Sequence, residues 1–376
     1  MLDYPLSGSA VYATNLAAHL PREAPDLSFR LFVRNAHLPP EHGMNAQPVH
    51  TPLARFNTGR GVGARADKLF WETLSLPAAS ARRGQAVLHS LHFAAPVLSA
   101  APVVVTIHDV IPLVLPGYHR SRQAALYSRF MSWASRRAAA VITVSQHSKR
   151  DIVRVLRLPE ERVRVTYEAA DERFAPAPVA GEACALRERY GLPERFLLYI
   201  GGAERRKNIE TLVRAWAPIS GRMRRNEVKL VVVATFPPPD ALYPDVPGLA
   251  RSLGIADDMV FVSRVAEQDK PALYRAAIGL LFPSRYEGFG FPPLEAMACG
   301  TPVAASNASS LPEVVGDGGL LLHPDDVAGW SDAMVALTES HPMREELRRR
   351  GLREARRFSW RETARQTADV YRSLLT

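Results

Sequence analysis

Leu280-Leu281-Phe282-Pro283-Ser284-Arg285-Tyr286-Glu287-Gly288-Phe289-Gly290-Phe291-Pro292-Pro293-Leu294-Glu295 reads as a buried strand, a glycine-bearing corner and the opening of a helix. Residues 280–283 form a short apolar run without alternation, as in a strand covered on both faces. The helix is expected to open at Pro293, where a missing N–H costs nothing. Gly288 and Gly290 let the backbone come close to a ligand. The first turn beyond them offers free N–H donors and a positive dipole end to a phosphate. Glu287 and Glu295 flank the turn. Two carboxylates beside a phosphate group would repel it, so they suit hydrogen bonds from neutral hydroxyls. On the residues alone, a plain strand–loop–helix corner with two incidental glutamates fits equally well.

Outward from this corner the same alternation recurs. Strand-length apolar runs lie at 196–200, 228–235, 259–262 and 280–283, with helical patterns at 208–216 and 270–277. The first half has strand candidates at 29–33, 86–91, 103–108, 140–145 and 163–167, and helical patterns at 11–20, 121–138 and 148–156. Such an order indicates parallel sheets with helices on both faces. Residues 171–193, with Pro176, Pro178 and Gly181, read as a linker. The expectation is an α/β chain of two Rossmann-like doubly wound parallel-sheet domains facing across a cleft, with ligands at the carboxyl ends of the strands. Ser359-Trp360-Arg361-Glu362 is a capping box with Ser359 as N-cap. The apolar side of that last helix, Ala364, Ala368, Tyr371 and Leu375, must pack on something.

A length of 376 residues with 47% hydrophobic composition supports two cores. The net charge of +9 suits an anionic partner: a nucleotide, a phosphorylated lipid, an acidic membrane or nucleic acid. The basic stretch 344–357 reads as a solvated helix face. Cys184 and Cys299 lack paired metal-ligand spacing, which points to a reducing compartment. The start Met1-Leu2-Asp3-Tyr4-Pro5 has no apolar signal core, and the apolar runs are too short to cross a bilayer. A cytoplasmic enzyme is expected, with peripheral contact to the inner face of a membrane left open.

Two further segments carry chemistry. Tyr199-Ile200-Gly201-Gly202-Ala203-Glu204-Arg205-Arg206-Lys207-Asn208 is a strand, a glycine turn and cations placed before a helix. Cations there can neutralise a leaving diphosphate; the plain alternative is a basic surface turn with Asn208 as N-cap. Val103-Val104-Val105-Thr106-Ile107-His108-Asp109 puts His108 at a strand's carboxyl end, where ligands sit. A lone histidine in that place is also often structural. His89, His92 and His108 are not spaced as metal ligands, so no metal is inferred. Gly59, Gly61 and Gly63 have no strand ahead of them and read as a flexible loop.

Taken together, these segments resemble family 4 of the retaining glycosyltransferases, also called group 1, which have the GT-B fold. Glu287 and Glu295 match its Glu-x(7)-Glu motif. Ala298-Cys299-Gly300-Thr301-Pro302-Val303, Leu311-Pro312-Glu313-Val314 and Gly316-Asp317-Gly318-Gly319 are similar to the family's segments downstream of that motif. The cation segment resembles the family's Gly-Thr-x-Glu-Pro-Arg-Lys-Asn stretch, with Gly202 in place of Thr and Arg205 in place of Pro. Thr106-Ile107-His108-Asp109 resembles its Thr-x-His segment; Leu88-His89-Ser90 and Ala139-Ala140-Val141-Ile142-Thr143-Val144-Ser145 match as well. Ser7-Gly8-Ser9-Ala10 resembles its first glycine loop, although only a few residues precede it here, which would cut the first strand short.

The resemblance implies an acceptor-side domain over 1–178, a nucleotide-sugar-binding domain over 194–356, and a C-terminal helix, 357–376, packing back on the first. It implies that Glu287 and His108 orient the transferred sugar, Glu295 holds the ribose, and Arg206 and Lys207 bind the donor diphosphate. Gly8, Gly202, Gly288, Phe289, Gly290 and Leu294 would line the donor site. The expected reaction moves a hexose, with GDP-mannose as first choice of donor, to a saccharide, lipid-linked or small-molecule acceptor, with retention and without a metal or other cofactor. As usually drawn for the family, a donor phosphate oxygen takes the acceptor proton. A sugar-nucleotide 2-epimerase or a sugar phosphorylase on the same fold is the rival enzyme. A non-catalytic nucleotide- or nucleic-acid-binding protein is the rival of another class, against which stands the lack of any nucleic-acid motif.

Overall fold

The computed structural model describes residues 8–33, 45–49, 67, 70–82, 86–115, 117–118 and 122–375. The chain divides into two compact units, Met1–Glu168 with Trp360–Thr376, and Ala169–Ser359. Both are built on parallel sheets, so the fold is α/β with two Rossmann-like units.

In the first unit β1 (Arg30–Val33) pairs in parallel with β2 (Asn45–Pro48). A second parallel sheet has the order β3 (Leu88–Ser90), β4 (Val103–Thr106), β5 (Ala140–Thr143), β6 (Val163–Val165). Val104, Val105, Val141 and Ile142 are wholly buried, which explains the unbroken apolar runs: neither face of the central strands β4 and β5 meets water. The helix Gln146–Leu156 starts where the Ser145 hydroxyl accepts from the Ser148 N–H at 3.0 Å. The C-terminal helix Trp360–Arg372 lies in this unit against the helix Gly8–Glu23. Ala364 and Ala368 are wholly buried, and Arg372 pairs with Asp26 at 2.6 Å. Leu375, expected on the apolar side, is instead 46% exposed, because it lies beyond the helix end.

The second unit is one six-stranded parallel sheet in the order β12-β11-β10-β7-β8-β9. Its strands are β7 (Arg195–Ile200), β8 (Val228–Val233), β9 (Met259–Val262), β10 (Gly279–Phe282), β11 (Val303–Ser306) and β12 (Leu320–Leu322). The chain lays β8 and β9 outward on one side of β7, then returns to place β10 on the other. The order therefore reverses between β7 and β10, and in sheets of this kind ligands bind beside the carboxyl ends of the strands at such a point. Trp216 and Trp330 are wholly buried in the core under this sheet. Burying side chains of this size contributes about 2–3 kcal/mol each.

The structure corrects several boundaries. Strands end earlier than their apolar runs, so His108 lies two residues past β4 rather than inside it. β2, β11 and β12 were not expected; Val303–Ser306 and Leu320–Leu322 are too short to stand out in sequence. The supposed linker 171–193 contains the helix Glu182–Tyr190. That helix is fastened to the second unit by Arg275, which donates to both Glu182 carboxylate oxygens at 2.6–2.7 Å. Tyr190 adds a hydrogen bond to Asp269 at 2.7 Å. Gly59, Gly61, Gly63 and Ser7 lie outside the described residues.

Candidate functional site

The region at the carboxyl ends of β7 and β10 collects most of the residues singled out in sequence. After β7 the chain turns through Gly201 and Gly202. The Tyr199 hydroxyl donates to the Gly202 carbonyl at 2.6 Å, and a Cβ at Gly202 would press into the Glu204 carboxylate. A single helical turn, Arg205–Lys207, then presents the cations, and Asn208 takes a left-handed conformation (φ 59°) to start the helix Ile209–Trp216. Asn208 is more than a helix cap. Its side-chain amide donates to the Pro283 carbonyl at 3.1 Å and the Pro324 carbonyl at 2.7 Å, tying the cation turn to the end of β10.

Beyond β10, the corner 283–290 lies against that turn. The Arg285 N–H donates to the Arg206 carbonyl at 2.8 Å. Lys207 Nζ lies 2.7 Å from Glu287 Oε1, and Arg206 Nη1 lies 3.0 Å from Glu287 Oε2. These three side chains are at most 15% exposed, whereas Arg205 of the same turn is 53% exposed. Burial pushes the Glu287 carboxyl up, but Lys207 and Arg206 outweigh it and hold the group below the usual carboxylate range. Burial and the neighbouring Arg206 pull the Lys207 ammonium down, with Glu287 opposing.

The corner then closes on itself. Ser309 Oγ accepts from the Glu287 N–H at 2.9 Å, and the Ser310 hydroxyl donates to the Glu287 carbonyl at 3.1 Å and to the Phe289 carbonyl. Gly290 adopts φ +131° as N-cap of the helix Phe291–Ala298, and a Cβ there would lie 2.8 Å from Leu311 Cδ2. Only glycine takes that conformation without strain. The helix thus opens at Phe291, two residues before the expected Pro293. Pro292 and Pro293 fall within its first turn, where an N–H is not needed. Leu294 is wholly buried behind the turn.

Glu295 is 8% exposed on this helix, and the Tyr274 hydroxyl donates to its Oε2 at 2.7 Å. Burial raises its pKa, with Lys270 and the Tyr274 bond opposing. The two glutamates therefore sit in different settings: Glu287 between two cations, Glu295 against a tyrosine.

The first unit supplies His108 and Gly8. Gly8 is the first residue of its helix and is exposed. His108 Nδ1 lies 3.2 Å from Glu168 Oε1, and the ring meets Tyr12 edge-on with centroids 4.9 Å apart. Burial disfavours its protonation, yet Glu168 and Asp109 hold its pKa above the ordinary value. His89 is built in differently. Its ring bonds Tyr371 at 2.6 Å and Thr106 at 2.8 Å, and burial with the nearby His108 pulls its pKa to about 3. His92 pairs with Glu72 at 2.8 Å.

Glu168, Tyr274, Ser309 and Ser310 were missed in sequence. Glu168 lies three residues past β6, again at a carboxyl end, and that rule alone would have found it. Among the described residues no group of three His, Cys, Asp or Glu side chains is placed to hold a metal ion, and no helix is long and apolar enough to cross a membrane.

Residues 6–174 match the family model described as Glycosyltransferase Family 4, and residues 194–340 the model for Glycosyl transferases group 1. The chain is 34% identical to the O-antigen chain mannosyltransferase B of Escherichia coli, over 72% of this chain and 70% of that protein. At 32% identity it also aligns over 64% of its length with the serotype-specific mannosyltransferase WbdA of Escherichia coli, spanning 29% of that longer protein. The structure is similar to the sucrose-phosphate synthase of Thermosynechococcus elongatus, with a TM-score of 0.74 at 22% identity, covering 98% of this chain and 94% of that one. It is similar also to Anabaena Alr3699/HepE in complex with UDP-glucose, with a TM-score of 0.69 at 18% identity, covering 98% and 96%.

Proposed function

The chain belongs to the family 4, group 1 glycosyltransferases, and from that premise we propose that it moves a hexose from a nucleoside diphosphate sugar with retention at the anomeric carbon. The observation that carries this reading is the junction of Arg206, Lys207 and Glu287 at the carboxyl ends of β7 and β10. Two buried cations at a strand end suit a departing diphosphate, and the first turn of the helix Phe291–Ala298 adds backbone donors. Backbone of Gly202, Gly288, Phe289 and Gly290 lines this donor site, with Leu294 beneath it. Glu287 aligns the cations and has lone pairs left for sugar hydroxyls. Glu295 holds the ribose. On the first unit, His108 takes the sugar-orienting role of the family's histidine, and Gly8, at the start of its helix, takes the place of the family's first glycine loop beside the donor.

Neither glutamate of the corner is an unengaged base. That supports a route in which a donor phosphate oxygen takes the acceptor proton, and hence retention. Arg206, Lys207 and the helix terminus supply positive charge, so turnover needs no metal. The mannosyltransferase relatives make GDP-mannose the first choice of donor, and a saccharide or lipid-linked molecule the acceptor.

Thermal shift with nucleoside diphosphates and their sugars tests the donor, since a ligand of the folded state raises the melting temperature. Selective stabilisation by GDP and GDP-mannose is expected. A chain that responds to no nucleoside diphosphate overturns the reading. Proton NMR of the product is expected to show an α-linkage from an α-donor, formed equally well in excess EDTA. A β-linked product overturns retention.

A further inference from the structure

A chain of polar groups runs through the first unit from its C-terminal helix to His108. The hydroxyl of Tyr371, on the helix Trp360–Arg372, lies 2.6 Å from His89 Nδ1. His89 Nε2 lies 2.8 Å from Thr106 Oγ1 at the end of β4. Thr106 Oγ1 lies 3.2 Å from the hydroxyl of Tyr12, on the helix Gly8–Glu23. The Tyr12 ring then meets His108 edge-on, with centroids 4.9 Å apart. Tyr12 and Thr106 are wholly buried and Tyr371 is nearly so. Phenylalanine and valine would fill the same space without taking three hydroxyls out of water, so packing alone does not call for this chain. Its hydrogen bonds run in one direction. Burial pushes the Tyr371 phenol well above its ordinary range, so it keeps its proton, and among the described residues that proton has no acceptor but His89 Nδ1. Nδ1 is therefore bare, and the ring's own hydrogen sits on Nε2 and donates to Thr106. The Thr106 hydroxyl is left to donate to Tyr12. Burial and the nearby His108 hold the His89 pKa at about 3, so the ring is neutral at any pH near 7.

We propose that His89, as a neutral imidazole with its hydrogen on Nε2, is a positioning residue: through Thr106 it seats Tyr12 against His108 and so fixes the direction of the His108 ring. Glu168 lies beside His108 Nδ1 at 3.2 Å, and a ring held at one nitrogen can still swing about that contact. The edge-on Tyr12 ring blocks the swing, and the fully engaged hydroxyl chain keeps Tyr12 from shifting. A group that orients a sugar gains rate from such fixing, because small misplacements of reacting groups are costly. The consequence for turnover rests on the reading of His108 as the sugar-orienting residue; the arrangement of the chain itself does not.

Nitrogen NMR of the histidine-labelled full chain, joined to kinetics, tests it. In wild type His89 is expected as the neutral Nε2–H tautomer throughout the range from about pH 5 to 8. Thr106→Val keeps the shape and removes the acceptor for Nε2–H. It should shift His89 toward the Nδ1–H tautomer and move the His108 ring signals, and Thr106→Ser should restore both. Release of GDP from GDP-mannose, with water as acceptor, reads turnover. Thr106→Val should lower kcat roughly tenfold with KM changed less than about twofold, and Thr106→Ser should recover it. Tyr12→Phe, which keeps the ring and loses its tether, should lower kcat in the same way and serves if Thr106→Val does not fold. A charged or Nδ1–H His89 in wild type overturns the proposal. So do His108 signals that ignore Thr106→Val, full turnover in both variants, or a loss that Thr106→Ser does not recover. Tautomer and His108 signals that respond as expected, in a chain that turns over no nucleotide sugar, refute the transfer reading and leave this positioning standing.

Discussion

Lys207 Nζ lies 2.7 Å from Glu287 Oε1, joining two residues 80 positions apart, and Arg206 Nη1 lies 3.0 Å from the other carboxylate oxygen. One carboxylate thus aligns two cations and cancels half their charge. The loop after β7 and the corner after β10 hold each other in place at the point where the sheet order reverses.

Removing either cation should slow transfer. Charge developing on a departing diphosphate loses a fixed partner, so Lys207→Ala and Arg206→Ala should each cost about 3 kcal/mol in kcat/KM. Steady-state kinetics check this. Rates within a few-fold of wild type would make the pair purely structural.

The same junction predicts a pH dependence of stability. The Glu287 pKa is held below its ordinary 4.5, so the junction's contribution is complete above that value. It is lost as pH falls through the lower folded-state value. Glu287→Gln should lower stability near neutral pH by about 3 kcal/mol, because two buried cations lose their counter-charge. Between the two pKa values, wild type should lose stability up to about 1.4 kcal/mol per pH unit faster than the variant. Urea unfolding followed by tryptophan fluorescence measures both. Parallel acid limbs would show that the Glu287 pKa is the same in the folded and the unfolded chain.

How much of this was legible in the sequence depends on what each signal rests on. Buried parallel strands leave apolar runs, so β4, β5, β7, β8 and β10 were visible, and the glycine corner marked the site beyond β10. The pairing of Glu287 with both cations was not visible, because it depends on strand order, and strand order leaves no trace in periodicity. For the same reason Glu287 was read as a sugar contact and the cations as diphosphate contacts, without a bond between them. The helix Glu182–Tyr190 escaped because its buried side is little more than Leu186, and ion pairs rather than an apolar stripe hold it. Glu168 was passed over since nothing near it in sequence names its partner.

Glu295 should serve the ribose rather than the phosphates. Glu295→Ala is expected to weaken binding of a nucleoside diphosphate while leaving inorganic pyrophosphate binding unchanged. Tyr274→Phe removes the 2.7 Å bond to Oε2 and should give a smaller loss in the same direction, about 1 kcal/mol. Calorimetry with both ligands separates these outcomes. An equal loss for pyrophosphate would place Glu295 beside the phosphates instead.

In the first unit, half-buried His108 lies 3.2 Å from buried Glu168, and its Nε2 has no hydrogen-bond partner among the described residues. Burial alone would drive the imidazole toward its neutral form; the Glu168 carboxylate, with Asp109, reverses that and raises the pKa. Glu168→Gln keeps the shape and removes the charge, so the His108 pKa should fall. NMR titration of the imidazole protons reads the shift directly. The sign carries over to stability. A raised folded-state pKa gives stability that is complete below the ordinary value of 6.5 and lost as pH rises through the folded value. The variant should therefore be less stable than wild type on the acid side, with the gap narrowing as pH rises. If a protonated His108 acts on the sugar, the alkaline limb of kcat should move to lower pH in Glu168→Gln while the KM for donor stays constant. A titration that does not move would mean that Glu168 fixes the ring by packing and leaves its charge unchanged.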